Sequence, residues 1–255
     1  MREFKQSLLA TKGRTGASLS PSTVKKTLGA LAAVRAWAKD NDYIVVNPAE
    51  KITVEATDSD ESGRVPYSPE DLKVIFGTKR EGNANHWLPW LALYTGARLE
   101  ELGQLRVADV RKEDGVPYLA IEPGDGKRVK TKSSRRRVPL HPELIKLGFL
   151  DFKAKQAGAG EVRLFPELRA TRFSLTAAWS KYWGRHARSL GITDPRKVMH
   201  SFRHGWKTQA RSVMSEELHD AITGHSNGSV GRAYGSVPLR ALAEAMAKVR
   251  FEGVN

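Results

Sequence analysis

Residues 198–235 read VMHSFRHGWKTQARSVMSEELHDAITGHSNGSVGRAYG, and the rest of the chain takes its meaning from them. His200, Arg203 and His204 recur at helical spacing, Gly224-His225 closes a second short helix, and Tyr234 follows nine residues after that histidine. Helices are expected over 199–212 and 215–223, the second stopped by Gly224. Far upstream, Thr95-Gly96-Ala97-Arg98-Leu99-Glu100-Glu101-Leu102 sets a second arginine at a turn. Two arginines, histidines and a tyrosine, with no cysteine and no carboxylate cluster, suit attack on a phosphodiester. Guanidinium forks give always-charged, bidentate hydrogen bonds to its non-bridging oxygens, and a tyrosine hydroxyl can serve as nucleophile.

The charge balance agrees. In 255 residues, 42 Lys plus Arg stand against 28 Asp plus Glu, a net charge of +14. Residues 1–66 hold 10 basic and 8 acidic side chains, so the excess lies beside the proposed site. Such a surface suits a polyanion, whose counterions are released on binding. The absence of cysteine excludes disulfides, thiol catalysis and Cys-ligated zinc. The start, MREFKQSLLATKGR, is polar, and the apolar run Trp87–Tyr94 is too short to cross a bilayer. A cytoplasmic, DNA-associated protein is expected, with no membrane partner.

Organisation follows from local signals. Residues 1–19 read as irregular, and Ser20-Pro21 opens a helix to about Lys39, with Val24, Leu28, Leu31 and Val34 on its apolar side. Residues 1–53 are therefore expected to form a short helical segment, 54–66 an acidic linker, and 67–255 the main domain. Ser68-Pro69-Glu70-Asp71 carries a capping box. A buried helix over Trp87–Tyr94 ends at Thr95-Gly96, and Arg98 begins the next. Val116–Glu122 and Val138–Leu140 read as strands around a basic hairpin, with seven of the eleven residues in 127–137 basic. Helices follow over 142–156 and 175–190, and a last one over 238–251.

These motifs, in this order, resemble the tyrosine recombinase (phage integrase) family. That pattern has an arginine after a Thr-Gly turn, a hairpin lysine, His-x-x-Arg-His, Gly-His and a tyrosine about nine residues on. All occur here over roughly 66–250. The resemblance implies an α+β, mainly α catalytic domain of the tyrosine recombinase and type IB topoisomerase type, with a small antiparallel sheet. A helical DNA-gripping segment, usually longer than 1–53, would precede it. The resemblance also implies site-specific strand exchange through a 3′-phosphotyrosine, without ATP, metal or cofactor. In its terms Arg98 and Arg203 clamp the phosphate, Tyr234 attacks, His200 assists as general base and His225 donates to the phosphate. Lys130, or its neighbour Lys132, protonates the leaving oxygen, and His204 is structural. Lys127, Arg128, Lys132, Arg135, Arg136 and Arg137 are expected to track the DNA backbone. The partners would be double-stranded DNA and further copies of the chain, as a tetramer on DNA.

Other readings are open at several points. Arg98 also fits an exposed pair with Glu101 or Glu100, and the helix at 238–251 fits either its own core or a neighbouring subunit. His200 and His204 have a spacing that zinc ligands use, but no third ligand stands out. Phe202, Gly205, Thr223 and Val230-Gly231 depart from the family pattern without removing a catalytic group. A non-catalytic DNA-binding fragment and a type IB relaxing enzyme are the competing functions.

Overall fold

The computed structural model describes residues 1–13, 16–50, 52–53, 63–78, 82–124, 135–172, 174–224 and 237–254. The chain forms two compact units, Met1–Gly63 and Arg64–Asn255. The first holds α1 (Arg2–Ala10) and α2 (Pro21–Asp40). Helix α1 replaces the irregular start expected from sequence: Phe4 and Leu8 share one side of it, four residues apart, and none of its residues is buried. In α2 the Ser20 hydroxyl accepts from Thr23 N–H at 3.2 Å, and Pro21 occupies the first turn. Of the predicted stripe, Val24 and Leu28 are buried, whereas Val34 stays 63% exposed.

The second unit is helical around a small sheet: α3 (Pro69–Gly77), α4 (Ala84–Thr95), α5 (Leu99–Gly103), β1 (Val110–Glu113), β2 (Val116–Ile121), β3 (Arg136–Pro139), α6 (Pro142–Lys146), α7 (Phe149–Gly158), α8 (Ala177–Ser189), α9 (His200–Val213), α10 (Glu216–Thr223) and α11 (Leu239–Met246). Helix α4 is buried on all sides from Trp87 to Thr95, as expected of an apolar helix at the centre of a core. Phe202 and Trp206 of α9, Phe149 and Phe152 of α7, and Trp179 and Trp183 of α8 belong to the same core. Trp183 Nε1–H donates to the Tyr67 hydroxyl at 3.0 Å, giving a buried indole its partner. The capping box forms as read: Asp71 N–H donates to Ser68 Oγ, and Ser68 N–H to Asp71 Oδ2.

The sheet is antiparallel in the order β1-β2-β3, with Val110 opposite Leu119 and Leu119 opposite Val138. Strand β1 was not anticipated. Its signal is Asp114-Gly115, both at positive φ (49° and 81°), the tight hairpin turn that Asp-Gly favours. The helix expected over 142–156 is two, because Gly148 sits at φ 87° between α6 and α7. The C-terminal stretch packs on its own domain: Leu242, Met246, Val249 and Phe251 join the main core.

His141 ties that stretch down. It is fully buried, and its Nδ1 accepts from Glu143 N–H at 3.1 Å as the cap of α6. Nδ1 is therefore the bare nitrogen, and Nε2–H donates to the Val249 carbonyl at 3.0 Å. Burial pushes the imidazole down from 6.5 to about 4, against the raising effect of the Val249 bond. The unfolded chain thus takes up a proton near pH 6.5 that the folded chain refuses until about pH 4. His141 supports the fold fully above pH 6.5, and that support is lost as pH falls through about 4. His141→Asn, a cap that does not titrate, should lose less stability than the parent between pH 7 and pH 4.5 in urea unfolding. Equal losses in both proteins would contradict this.

Candidate active site

The site is built on the turn after α4. The Thr95 hydroxyl donates back to Leu91 O and accepts Ala97 N–H at 3.2 Å, so the last side chain of the helix holds the turn that follows. Gly96 closes the helix at φ 60°, and a Cβ there would stand 2.7 Å from the Trp206 ring. The conformation and the close approach both call for glycine. The chain then delivers Arg98 as the N-cap of α5, with 28% of its side chain exposed.

Two successive carboxylates divide the work below Arg98. Glu100 accepts from the Ser174 and Thr176 hydroxyls and from Leu175 N–H, and so holds the segment that leads into α8. Glu101 reaches back to Arg98, accepting its backbone N–H at 2.8 Å and its guanidinium at 2.9 Å. Of the two partners open to Arg98 from sequence, the structure selects Glu101.

Glu101 also takes a second guanidinium. Arg136 Nη2 donates to Glu101 Oε2 at 2.7 Å and Nη1 to Oε1 at 3.1 Å, while Nε donates to the Ile222 carbonyl at 2.7 Å. Both side chains are only 4% exposed. Burial alone would raise the Glu101 carboxyl; the bonds and charge of Arg136, with those of Arg98, outweigh it and hold it at about 2. Arg136 is thus committed to the interior, where sequence had grouped it with residues along DNA. Strand alternation is the reason: Arg136 points inward, as Val138 does, whereas Arg135 is exposed and Arg137 is half-exposed and pairs with Glu113.

Helix α9 supplies the second arginine and the histidines. Arg203 is buried, with Nη1 donating to Gly96 O and Nη2 to Thr223 O at 2.9 Å. One guanidinium therefore joins the turn before Arg98 to the last turn of α10. Burial and the charges of Arg98 and Arg136 push Arg203 down to about 10. His200 is exposed, and its ring lies 5.2 Å from the His204 ring, edge to face. Crowding by the fold, then the charges of His204, Arg203, Arg98 and Arg64, push His200 from 6.5 to about 4, so it is neutral at neutral pH. Gly224, at φ 68°, ends α10 by donating to Asp220 O at 2.8 Å. A Cβ on it would stand 3.1 Å from Arg136 Nη1.

The structure therefore brings together Arg98, His200 and Arg203, and fixes the residue immediately before His225. Lys127, Arg128, Lys130, Lys132, His225 and Tyr234 lie outside the described residues. Three contributors were missed from sequence. Glu101 as a hub carried a usable signal, an acid three residues after a helix cap. Arg64 donates to Pro195 O at 3.4 Å, and its charge bears on His200 and His204. Lys207, half-buried one turn after Arg203, feels the charges of Arg203, Arg211 and Arg98. Neither cation announces itself in a chain this basic.

Residues 79–238 match the phage integrase family, which is more than half of the chain, and the chain belongs to that family. Its fold is that of tyrosine recombinase catalytic domains. Among solved structures it is similar to the Tn1549 transposon integrase in complex with circular intermediate DNA. That match has a TM-score of 0.66 and 21% identity, covering 96% of this chain and 82% of that one. The XerH site-specific recombinase bound to its difH substrate gives 0.58 and 20%, covering 96% and 68%. The integrase from mycobacterium phage Brujita gives 0.54 and 17%, covering 97% and 77%. No curated protein sequence matches the chain.

The Glu101 hub has a measurable signature. Its carboxyl, held at about 2 against 4.5 ordinarily, supports the fold fully above pH 4.5 and loses that support as pH falls toward 2. Glu101→Gln leaves Arg136 buried without its counter-charge, which costs roughly 3–5 kcal/mol near neutrality. The gap in unfolding free energy between parent and variant should narrow from pH 5 to pH 2.5; a constant gap would show that the carboxylate charge is not what holds Arg136.

Proposed function

We propose that this chain is a site-specific DNA recombinase that cuts and rejoins strands through a covalent 3′-phosphotyrosine at Tyr234. The observation that carries this reading is the anchoring of Arg203 to the Gly96 carbonyl, two residues before Arg98. Two guanidiniums on one rigid turn, in a cluster of like charge, make a costly arrangement that an anion relieves. Held in place before substrate arrives, they meet the charge that grows on the non-bridging oxygens without having to reorganise.

In the proposed reaction the Tyr234 oxygen attacks phosphorus and the bond to the 5′ oxygen breaks. The tyrosine proton passes to His200, whose neutral ring has a lone pair ready, and whose basicity rises when the phosphate charge enters the site. A hairpin lysine, Lys130 or Lys132, returns a proton to the leaving oxygen. His225 donates to the phosphate from the position just after the Gly224 cap. One phosphoester replaces another, so rejoining needs no ATP, and no metal enters the scheme. The basic side chains Lys127, Arg128, Arg135 and Arg137 lie along the DNA in this reading, and further copies of the chain assemble as a tetramer on it. The DNA-bound state of the Tn1549 and XerH structures supports duplex DNA as the partner.

Incubation with plasmid DNA in EDTA, followed by denaturation, tests the reaction. The parent protein should leave a denaturant-resistant adduct, and Tyr234→Phe should bind DNA equally but leave none. Arg203→Ala should lose cleavage by at least a hundredfold, about 3 kcal/mol of transition-state stabilisation, with a far smaller loss of binding. Salt-sensitive binding with no adduct from the parent protein would make it a DNA-binding domain only.

A further inference from the structure

The family motifs account for His200 and Arg203 on α9 but leave the next turn of that helix unassigned. Lys207 follows Arg203 by four residues, so it stands on the same face about 6 Å further along the axis. Arg211 extends the line by another turn and is exposed. Arg98 bears on Lys207 from the α4–α5 turn, and Asp220 of α10 supplies an opposing charge. Arg64 bears on His200 and His204.

We propose that Lys207 is a further substrate-contacting residue, binding a DNA backbone phosphate next to the one held by Arg98 and Arg203. This rests on the recombinase reading and deepens it by giving the strand a direction across the site, along α9 from Arg203 toward Arg211. Three points support it. The face is shared with an arginine already assigned to phosphate. The spacing of one helical turn is comparable to one or two nucleotide steps of about 3.4 Å. A lysine placed beside Arg203 and Arg98 raises the energy of the unliganded site, and burial and those charges lower its pKa. A polyanion reverses that cost. The competing role is structural: Lys207 would only link α9 to Asp220 on α10.

Salt dependence separates the two roles. Binding of a random-sequence 30-base-pair duplex to the Tyr234→Phe protein would be followed by fluorescence anisotropy across a salt series. Loss of one phosphate contact lowers the slope of log K against log salt by about 0.9. Lys207→Ala and Lys207→Gln should each show that drop, with little change in Tm, and Lys207→Arg should restore the slope. An unchanged slope in the alanine and glutamine variants, with or without a lower Tm, would overturn the assignment. If the Tyr234→Phe protein itself binds without salt dependence, the recombinase reading fails first and the role of Lys207 falls with it.

Discussion

The buried carboxylate of Glu101 is the constraint on which the site depends. It holds Arg98 from the helix that carries both residues, and Arg136 from the last strand of the sheet. Arg136 in turn reaches the Ile222 carbonyl near the end of α10. Two charged groups and one carbonyl thereby join three elements that are distant in sequence. A buried ion pair is weak evidence of net stability, because desolvation offsets most of its attraction. Its value here is positional: removing one member leaves a buried charge, so the three elements keep one mutual arrangement.

Arg203 adds a second strut across the same space, from the Gly96 carbonyl to the Thr223 carbonyl. Gly96 and Gly224 flank it, each at positive φ and each closely approached, one by the Trp206 ring and the other by the Arg136 guanidinium. The site is thus a set of helix ends whose carbonyls are already occupied by cations. That leaves an excess of positive charge, with His200 kept neutral among it. Such a site is poor at holding another cation and suited to a phosphate. In the proposed function stability and activity oppose one another, since the crowding that costs the free protein is what an incoming DNA strand would relieve.

Much of this was legible in the residues. The apolar run at Trp87–Tyr94, the Thr-Gly stop, the Ser68 cap and the helical spacing of His200 with Arg203 are local signals, and each produced the element it announced. What escaped were matters of tertiary partnership. Seven cations in eleven residues look alike in sequence, yet the pleat sends Arg136 inward and leaves Arg135 in solvent. The hub at Glu101 needed a strand partner that no window around residue 101 contains. Helix α1 carries its apolar side over barely two turns, at Phe4 and Leu8, and β1 is a short strand with only Val110 buried, so neither has a pattern long enough to stand out. The choice for the C-terminal helix, between its own core and a neighbour, depends on which apolar surface lies within reach, and the chain's own core takes Leu242 and Met246.

In the proposed reaction Tyr234, nine residues after His225, becomes bonded to DNA. Trypsin cutting after Arg232 and Arg240 would release residues 233–240, AYGSVPLR, in which Tyr234 is the one tyrosine. Nuclease digestion of the trapped complex, then tryptic digestion and mass spectrometry, would locate the attached nucleotide. A nucleotide bonded through its 3′ phosphate to Tyr234 is the predicted result. A nucleotide on any other residue, Ser236 of the same peptide included, would rule Tyr234 out as the nucleophile.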